Sequence, residues 1–111
     1  MRIILAANDT TFIYNLRREI LKGLIAEGHE VSAMCQVLQF EDELEQLGCD
    51  VINIETARQG KNPFKDVLLF RKYYQSLKKY KPDVMLGNNI KPNVYAGLAC
   101  QMLKIKYIPN I

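Results

Sequence analysis

The chain alternates short apolar runs with longer stretches in which apolar residues recur every three or four positions. "RIILAA" (2–7) is apolar throughout after Arg2 and gives way to the polar group "NDTT" (8–11), the pattern of a buried strand ending in a turn. From Phe12 onward, Phe12, Ile13, Leu16, Ile20, Leu21, Leu24 and Ile25 define one helical face, with Thr10 or Thr11 as its cap and Gly28 as its end. "EVSAMC" (30–35) predicts a second strand, "FEDELEQLG" (40–48) a short acidic helix closed by Gly48, and "CDVINIE" (49–55) a third strand. After a loop, "TARQGKNP" (56–63), Pro63 suits the first turn of a helix running to about Lys81. Its apolar stripe of Phe64, Val67, Leu68, Phe70, Tyr73, Tyr74, Leu77 and Tyr80 reads as core, and Lys78, Lys79 and Lys81 complement its carbonyl end before Pro82 stops it. "DVMLG" (83–87) is a fourth strand, Pro92 to Leu103 a fourth helix, and "KYIPNI" (106–111) the start of a fifth strand.

Strands alternating with helices, and lacking clear in–out alternation, are those of a parallel sheet covered on both faces. Right-handed crossovers then predict an α/β, Rossmann-like three-layer sandwich with a parallel five-stranded sheet. The 111 residues suffice for one such domain, 1–111, and no linker, repeat or low-complexity tract divides it.

Composition changes this picture little: 49% hydrophobic and 24% charged residues are ordinary for a globular protein. No apolar run is long enough to span a bilayer, and the N-terminus reads as a strand, not a signal peptide. Cys35, Cys49 and Cys100 are scattered and odd in number beside the single His29, which argues for reduced thiols and against a metal site. Charge is informative. Residues 1–55 hold four Lys/Arg against ten Asp/Glu (net −6), and residues 56–111 hold eleven against two (net +9). Eight basic residues and one acid, Asp66, lie between Arg58 and Lys81, a surface suited to solvent, to anionic lipid headgroups or to a phosphate-bearing substrate. No nucleic-acid-binding module is present, so nucleic acid is not an expected partner.

Ligands of open parallel sheets bind beyond the carboxyl ends of the strands, where strand order reverses. For the order 3-2-1-4-5 that crevice lies between the first and fourth strands. The loops facing it are "NDTT", with Asn8, Asp9, Thr10 and Thr11, and "NNIKPN", with Asn88, Asn89, Lys91 and Asn93. Amides and hydroxyls suit a hydroxyl-rich ligand, and Lys91 adds a charge for a phosphate. Arg58, in the loop after the third strand, can reach the same rim. Ordinary capping and turn formation explain the same residues equally well. The motifs for dinucleotides (GxGxxG), P-loops, nucleophile elbows and HExxH zinc sites are all absent, and no catalytic residue, cofactor or metal is assigned.

With those residues placed, the chain resembles the N-terminal half of a family 4-like glycosyltransferase of the GT-B architecture, close to bacterial enzymes that add hexosamines to polyprenyl-diphosphate-linked sugars. The resemblance is carried by "ILAANDTTFIYNLRREILKGLIAEGHEV", "LGCDVINI", "RQGKNPFKD", "LKKYKPDVMLGNNIKPNVYAGLA" and "KYIPNI". "FIYNLRRE" together with "KPNVYAGLA" is more specific than "GHEV". It implies a lipid-linked saccharide acceptor bound by this half, and a nucleotide sugar bound by a C-terminal half beyond Ile111, with Asn8, Thr10, Thr11, Asn88, Asn89, Lys91 and Asn93 facing the cleft between them. It further implies metal-independent transfer, a basic stretch near a membrane-borne acceptor, and no activity for this half alone; with the reduced thiols, the expected location is the cytoplasm, peripheral on the inner face of the membrane. Ending within the fifth strand, the chain is expected to expose a sheet edge and self-associate. The alternatives are half of a UDP-sugar epimerase of the same architecture, for which Asp9 is the nearby acid/base candidate, and a non-catalytic module that recruits a partner to the membrane.

Overall fold

The computed structural model describes residues 1–54 and 63–110, so Arg58 and most of the "TARQGKNP" loop lie outside the described residues. In chain order the elements are β1 (Arg2–Asp9), α1 (Thr10–Leu16), α2 (Arg18–Ala26), β2 (Glu30–Gln36), α3 (Glu41–Gln46), β3 (Asp50–Asn53), α4 (Pro63–Tyr80), β4 (Val84–Asn88), a π-helical turn (Pro92–Ala96), α5 (Gly97–Leu103) and β5 (Lys106–Asn110). All strand pairs are parallel, in the order β3-β2-β1-β4-β5. The predicted three-layer α/β sandwich is therefore present, with its order reversing between β1 and β4.

Each face of the sheet has its own core. Leu5, Ala7, Val31, Ala33 and Cys35 pack against Ile13, Leu21 and Leu44 of α1, α2 and α3. Ile4, Ala6, Met34, Ile52 and Met85 pack against Leu69, Tyr73 and Leu77 of α4 and Ala99 and Cys100 of α5. Every residue of β1 from Ile3 to Ala7 is buried, because neighbours to one side alternate between the two cores; this explains the missing alternation in "RIILAA". Burying each of Leu21, Leu44 and Leu77 stabilises the fold by roughly 1.5–3 kcal/mol.

Three features depart from the sequence expectation. The single helix predicted from Phe12 to Gly28 is two, separated at Arg17, whose backbone (φ −125°, ψ 6°) leaves the helical range. The bonds Arg17 N–H to Ile13 C=O and Leu21 N–H to Arg17 C=O survive, at 2.8 and 3.1 Å, so the period hides the break, although Leu16 and Ile20 of the predicted face are exposed. The stripe on α4 also differs from the predicted one, which omitted Leu69. Leu69, Tyr73 and Leu77 form its buried line, one helical turn apart, while Val67 and Leu68 are exposed and Tyr80 partly so. The fourth predicted helix opens with a π-helical turn at Pro92, which has no N–H to enter a helical ladder.

At the amino-end rim of the sheet, β1 and β4 are tied by a reciprocal pair. The Arg2 N–H donates to the Asp83 carboxylate (2.7 Å), and the Asp83 N–H donates to the Arg2 carbonyl (2.8 Å). His29 lies at this same rim, its Nδ1 3.3 Å from the N-terminal amine, far from the carboxyl ends of the strands.

Candidate functional site

The two polar corners meet over the β1/β4 junction. The Asn8 N–H donates to Asn89 Oδ1 at 3.0 Å, joining the loop after β1 to the loop after β4. Asn89 adopts a left-handed backbone (φ 69°), a conformation that asparagine tolerates better than most side chains. That conformation is held from behind: the Asn93 side-chain amide donates to the Asn89 carbonyl at 2.7 Å. Asn93 is in turn gripped by β5, since the Tyr107 hydroxyl bonds both its carbonyl (3.0 Å) and its side-chain oxygen.

Asn88 is 1% exposed and lies below the junction. Its Nδ2 faces the Ala6 carbonyl at 3.4 Å, and its Oδ1 accepts from Arg17 Nε at 2.8 Å. Arg17 also donates through Nη1 to the Leu16 carbonyl (3.0 Å), and its guanidinium carbon sits 5.3 Å from the centre of the Phe12 ring. Above this lies a cleft of about 520 Å³ lined by Asn8, Phe12, Leu16, Arg17, Asn89, Ile90 and Lys91. That volume is in the range of small-molecule sites.

The nine residues singled out from sequence thus separate into distinct positions. Asn8, Asn89 and Lys91 line the cleft, with Lys91 exposed and 3.9 Å from Asp66 across the surface. Asn88 and Asn93 are the buried and half-buried struts beneath it. Asp9, Thr10 and Thr11 turn elsewhere. It is Asp9, not a threonine, that caps α1, accepting from the Phe12 N–H at 2.7 Å. The Thr10 and Thr11 hydroxyls accept from the Leu38 and Gln39 N–H groups at 2.9 and 3.3 Å, fastening the loop between β2 and α3. Thr10 is fully buried in doing so. Arg58 lies outside the described residues.

Replacing Asp9 by alanine removes only a cap and should lower stability by about 1 kcal/mol, measured as a shift of the urea midpoint. A loss several times larger would mean that Asp9 carries more than the first turn of α1.

Phe12, Leu16, Arg17 and Ile90 were not selected from sequence. For Arg17 a signal existed. Positions 13, 17 and 21 are successive turns of one helical face, and Ile13 and Leu21 are fully buried. An arginine between them in that period is a charge set beside the core, and it is half-buried on the cleft wall. The apolar three had no such signal, because exposed and buried apolar residues share one periodicity.

Among the described residues, the polar side chains lining the cleft are amides, a guanidinium and an ammonium group. Burial pushes the Cys35 and Cys49 thiols up to about 12 and Cys100 up to about 11, so none supplies a thiolate near neutral pH. No carboxylate or imidazole lines the cleft among the described residues, and none of their His, Cys, Asp and Glu side chains gather as a metal site. Nor is any described helix long and apolar enough to cross a membrane.

Comparison with known proteins places these features. A family model described as "Glycosyl transferase 4-like" matches residues 2–110. A Campylobacter jejuni protein named N,N'-diacetylbacillosaminyl-diphospho-undecaprenol alpha-1,3-N-acetylgalactosaminyltransferase is 30% identical over 107 residues, covering 96% of this chain and 28% of the relative. A glycosyltransferase structure from Rickettsia africae superposes with a TM-score of 0.78 at 19% identity, over 99% of this chain and 29% of that one. UDP-GlcNAc 2-epimerase from Methanocaldococcus jannaschii gives 0.73 at 17% identity, over 98% and 31%. The last two are likenesses of fold. The chain spans less than a third of the length of each of these relatives.

Proposed function

Because the chain belongs to the glycosyl transferase 4-like family, we propose that it is the acceptor-binding half of a glycosyltransferase that moves a sugar from a nucleotide sugar to a lipid-linked saccharide in cell-surface glycan assembly. The observation that carries this reading is the Asn8–Asn89 closure at the strand-order switch, which sets a cleft with amides and a lysine on its wall and no acid–base group among its described residues. Such a site holds a hydroxyl-bearing molecule and leaves activation of the donor to another domain. That domain would correspond to the remaining two-thirds of the relatives, would bind the nucleotide sugar, and would be required for activity. Asn8, Asn89 and Lys91 are the residues proposed to touch the acceptor.

The epimerase reading is less well supported. Its acid/base candidate, Asp9, is engaged at 2.7 Å as a helix cap. The setting proposed is the cytoplasmic face of a membrane. Arg71, Lys72, Lys78 and Lys79, exposed on α4 with Val67 and Leu68, are suited to anionic headgroups. Self-association through the edge strand β5 is proposed for the chain by itself.

The test is to join this chain to the C-terminal two-thirds of the Campylobacter relative and assay transfer of N-acetylhexosamine to undecaprenyl-diphosphate-linked bacillosamine. Transfer is expected, and Lys91→Ala should raise the acceptor KM about 5-fold, the loss of one exposed charge-assisted contact, with the donor KM unchanged. A folded fusion that binds its nucleotide sugar but transfers to no lipid-linked saccharide would refute the reading.

A further inference from the structure

We infer that Tyr107, a residue of β5 that does not line the cleft, is a positioning residue for Asn89: through Asn93 it sets which end of the Asn89 amide meets a ligand. This rests on the acceptor-side reading above, in which the ligand is the acceptor, and names the group that holds one contact in place.

The linkage begins at the tyrosine ring. It is seated between two buried glycines, Gly87 on β4 and Gly97 at the start of α5, and a Cβ at either would stand 2.9 Å from it. Two positions thus go without a side chain to admit one ring. The hydroxyl that the ring delivers faces two oxygens, the Asn93 carbonyl at 3.0 Å and Asn93 Oδ1, so it acts as a donor. Burial raises it above the ordinary tyrosine value, with Cys100 acting in the same direction, and it keeps its proton through the neutral range.

A donor at that place fixes the rotation of the Asn93 amide. With Oδ1 on the hydroxyl, Nδ2 has to face the other way, and it donates to the Asn89 carbonyl at 2.7 Å. Turned by half a revolution, the amide would set Oδ1 against that carbonyl, two acceptors without a proton between them. The Asn89 carbonyl also accepts from the Asn93 N–H, at a longer 3.3 Å. The side-chain bond is therefore the shorter of the two that hold Asn89 in its left-handed backbone (φ 69°). That backbone brings Asn89 Oδ1 to the Asn8 N–H at 3.0 Å. With its oxygen occupied, Asn89 offers the cleft its Nδ2, which has no partner among the described residues. The wall presents a hydrogen-bond donor there, suited to a hydroxyl or carbonyl oxygen of the acceptor.

Amide hydrogen exchange of this chain, followed by NMR, tests the linkage without any ligand. Tyr107→Phe keeps the ring between the glycines and removes only the hydroxyl. It should speed exchange of the Asn8 N–H at least about tenfold, while the strand amides of Leu5 and Met85 change only by the factor that the urea midpoint dictates. A tyrosine that merely stabilises the fold would do the reverse, speeding the strand amides and leaving Asn8 as it was. Asn93→Ala should act on Asn8 as strongly, and the double variant no more strongly than Asn93→Ala alone, because both substitutions cut one linkage. Should Asn93→Ala not fold, Tyr107→Phe decides. In the fusion described above, Tyr107→Phe should raise the acceptor KM about 5-fold, with kcat and the donor KM within about twofold of the parent.

Asn8 exchange unmoved by Tyr107→Phe would overturn the inference, as would additive effects of the two substitutions. So would an accelerated Asn8 beside an unchanged acceptor KM, since Asn89 would then be held but not used. A fusion that transfers no sugar, while Tyr107→Phe still frees Asn8 alone, removes the glycosyltransferase reading and leaves the positioning of Asn89 standing.

Discussion

Substitution of Gly87 by alanine should destabilise the domain by about 2–4 kcal/mol, and by valine should leave no folded protein. A Cβ at this position would stand 2.9 Å from Tyr107 Cε2 and would run into the Asn93 side-chain amide. Neither neighbour is a loose end. The Tyr107 hydroxyl is fixed on Asn93, and Asn93 holds the Asn89 carbonyl, so relief of the clash has to undo the support of the left-handed turn. Tyr107 meets a second close approach at Gly97, where a Cβ would lie 2.9 Å from Cζ. Urea midpoints of Gly87→Ala with and without Tyr107→Leu provide the measurement. The double variant should recover part of the loss; an unchanged midpoint for Gly87→Ala alone would show that strand β5 and the turn can separate freely.

Alkaline pH should unfold the domain at values where most proteins of this size remain folded. Burial raises Cys35 and Cys49 to about 12 and Cys100 to about 11, from an ordinary thiol value of 9.0; for Cys35 the neighbouring Cys49, Asp9 and Glu41 act in the same direction. Tyr73, buried against the sheet by α4, is raised as well. In the unfolded chain the thiols ionise from pH 9 upward while in the folded chain they remain protonated, so the folded state binds more protons and stability falls as pH rises. The stabilisation is complete below pH 9 and is lost between about 9 and 12. Each thiol contributes a slope of at most about 1.4 kcal/mol per pH unit, so three approach about 4, against a total of roughly 5–15 kcal/mol for a domain. Urea midpoints recorded from pH 8 to 11 should fall steeply, and Cys35→Ala should flatten the curve even though it lowers the value at pH 8. A flat profile would mean that the thiols are not shielded in solution; their slow reaction with a thiol reagent at pH 8, accelerated by denaturant, is the companion measurement.

Sequence pattern was sufficient for the alternation of strands and helices, though not for the break at Arg17 or the π-helical turn, because the two-sided burial of β1, β2 and β4 writes itself as largely apolar runs. The position of the cleft followed from topology: once the strands fall as β3-β2-β1-β4-β5, Asn8 and Asn89 have to be neighbours. What stayed illegible is the division of labour inside each corner. Asp9, Thr10 and Thr11 have side chains equally able to cap a helix, fasten a loop or meet a ligand, and only the path of the loop between β2 and α3 decides that the threonines serve Leu38 and Gln39. Asn88 and Asn89 are adjacent and chemically identical. The strand pleat sends Asn88 inward to Arg17, while a left-handed backbone turns Asn89 toward Asn8. Arg17 was overlooked because, paired in sequence with Arg18, it reads as the solvated side of a continuous helix, and only the break between α1 and α2 carries it to Asn88.

The double attachment of β1 to β4, by Arg2 and Asp83 at one extremity and by Asn8 and Asn89 at the other, has a mechanical corollary. A pair of strands fastened at both extremities and hydrogen-bonded between them cannot fan apart like a book hinged at its spine. Change in the width of the crevice therefore falls to side chains on its rim, among which Leu16, Ile90 and Lys91 are exposed, and not to the spacing of the two strands.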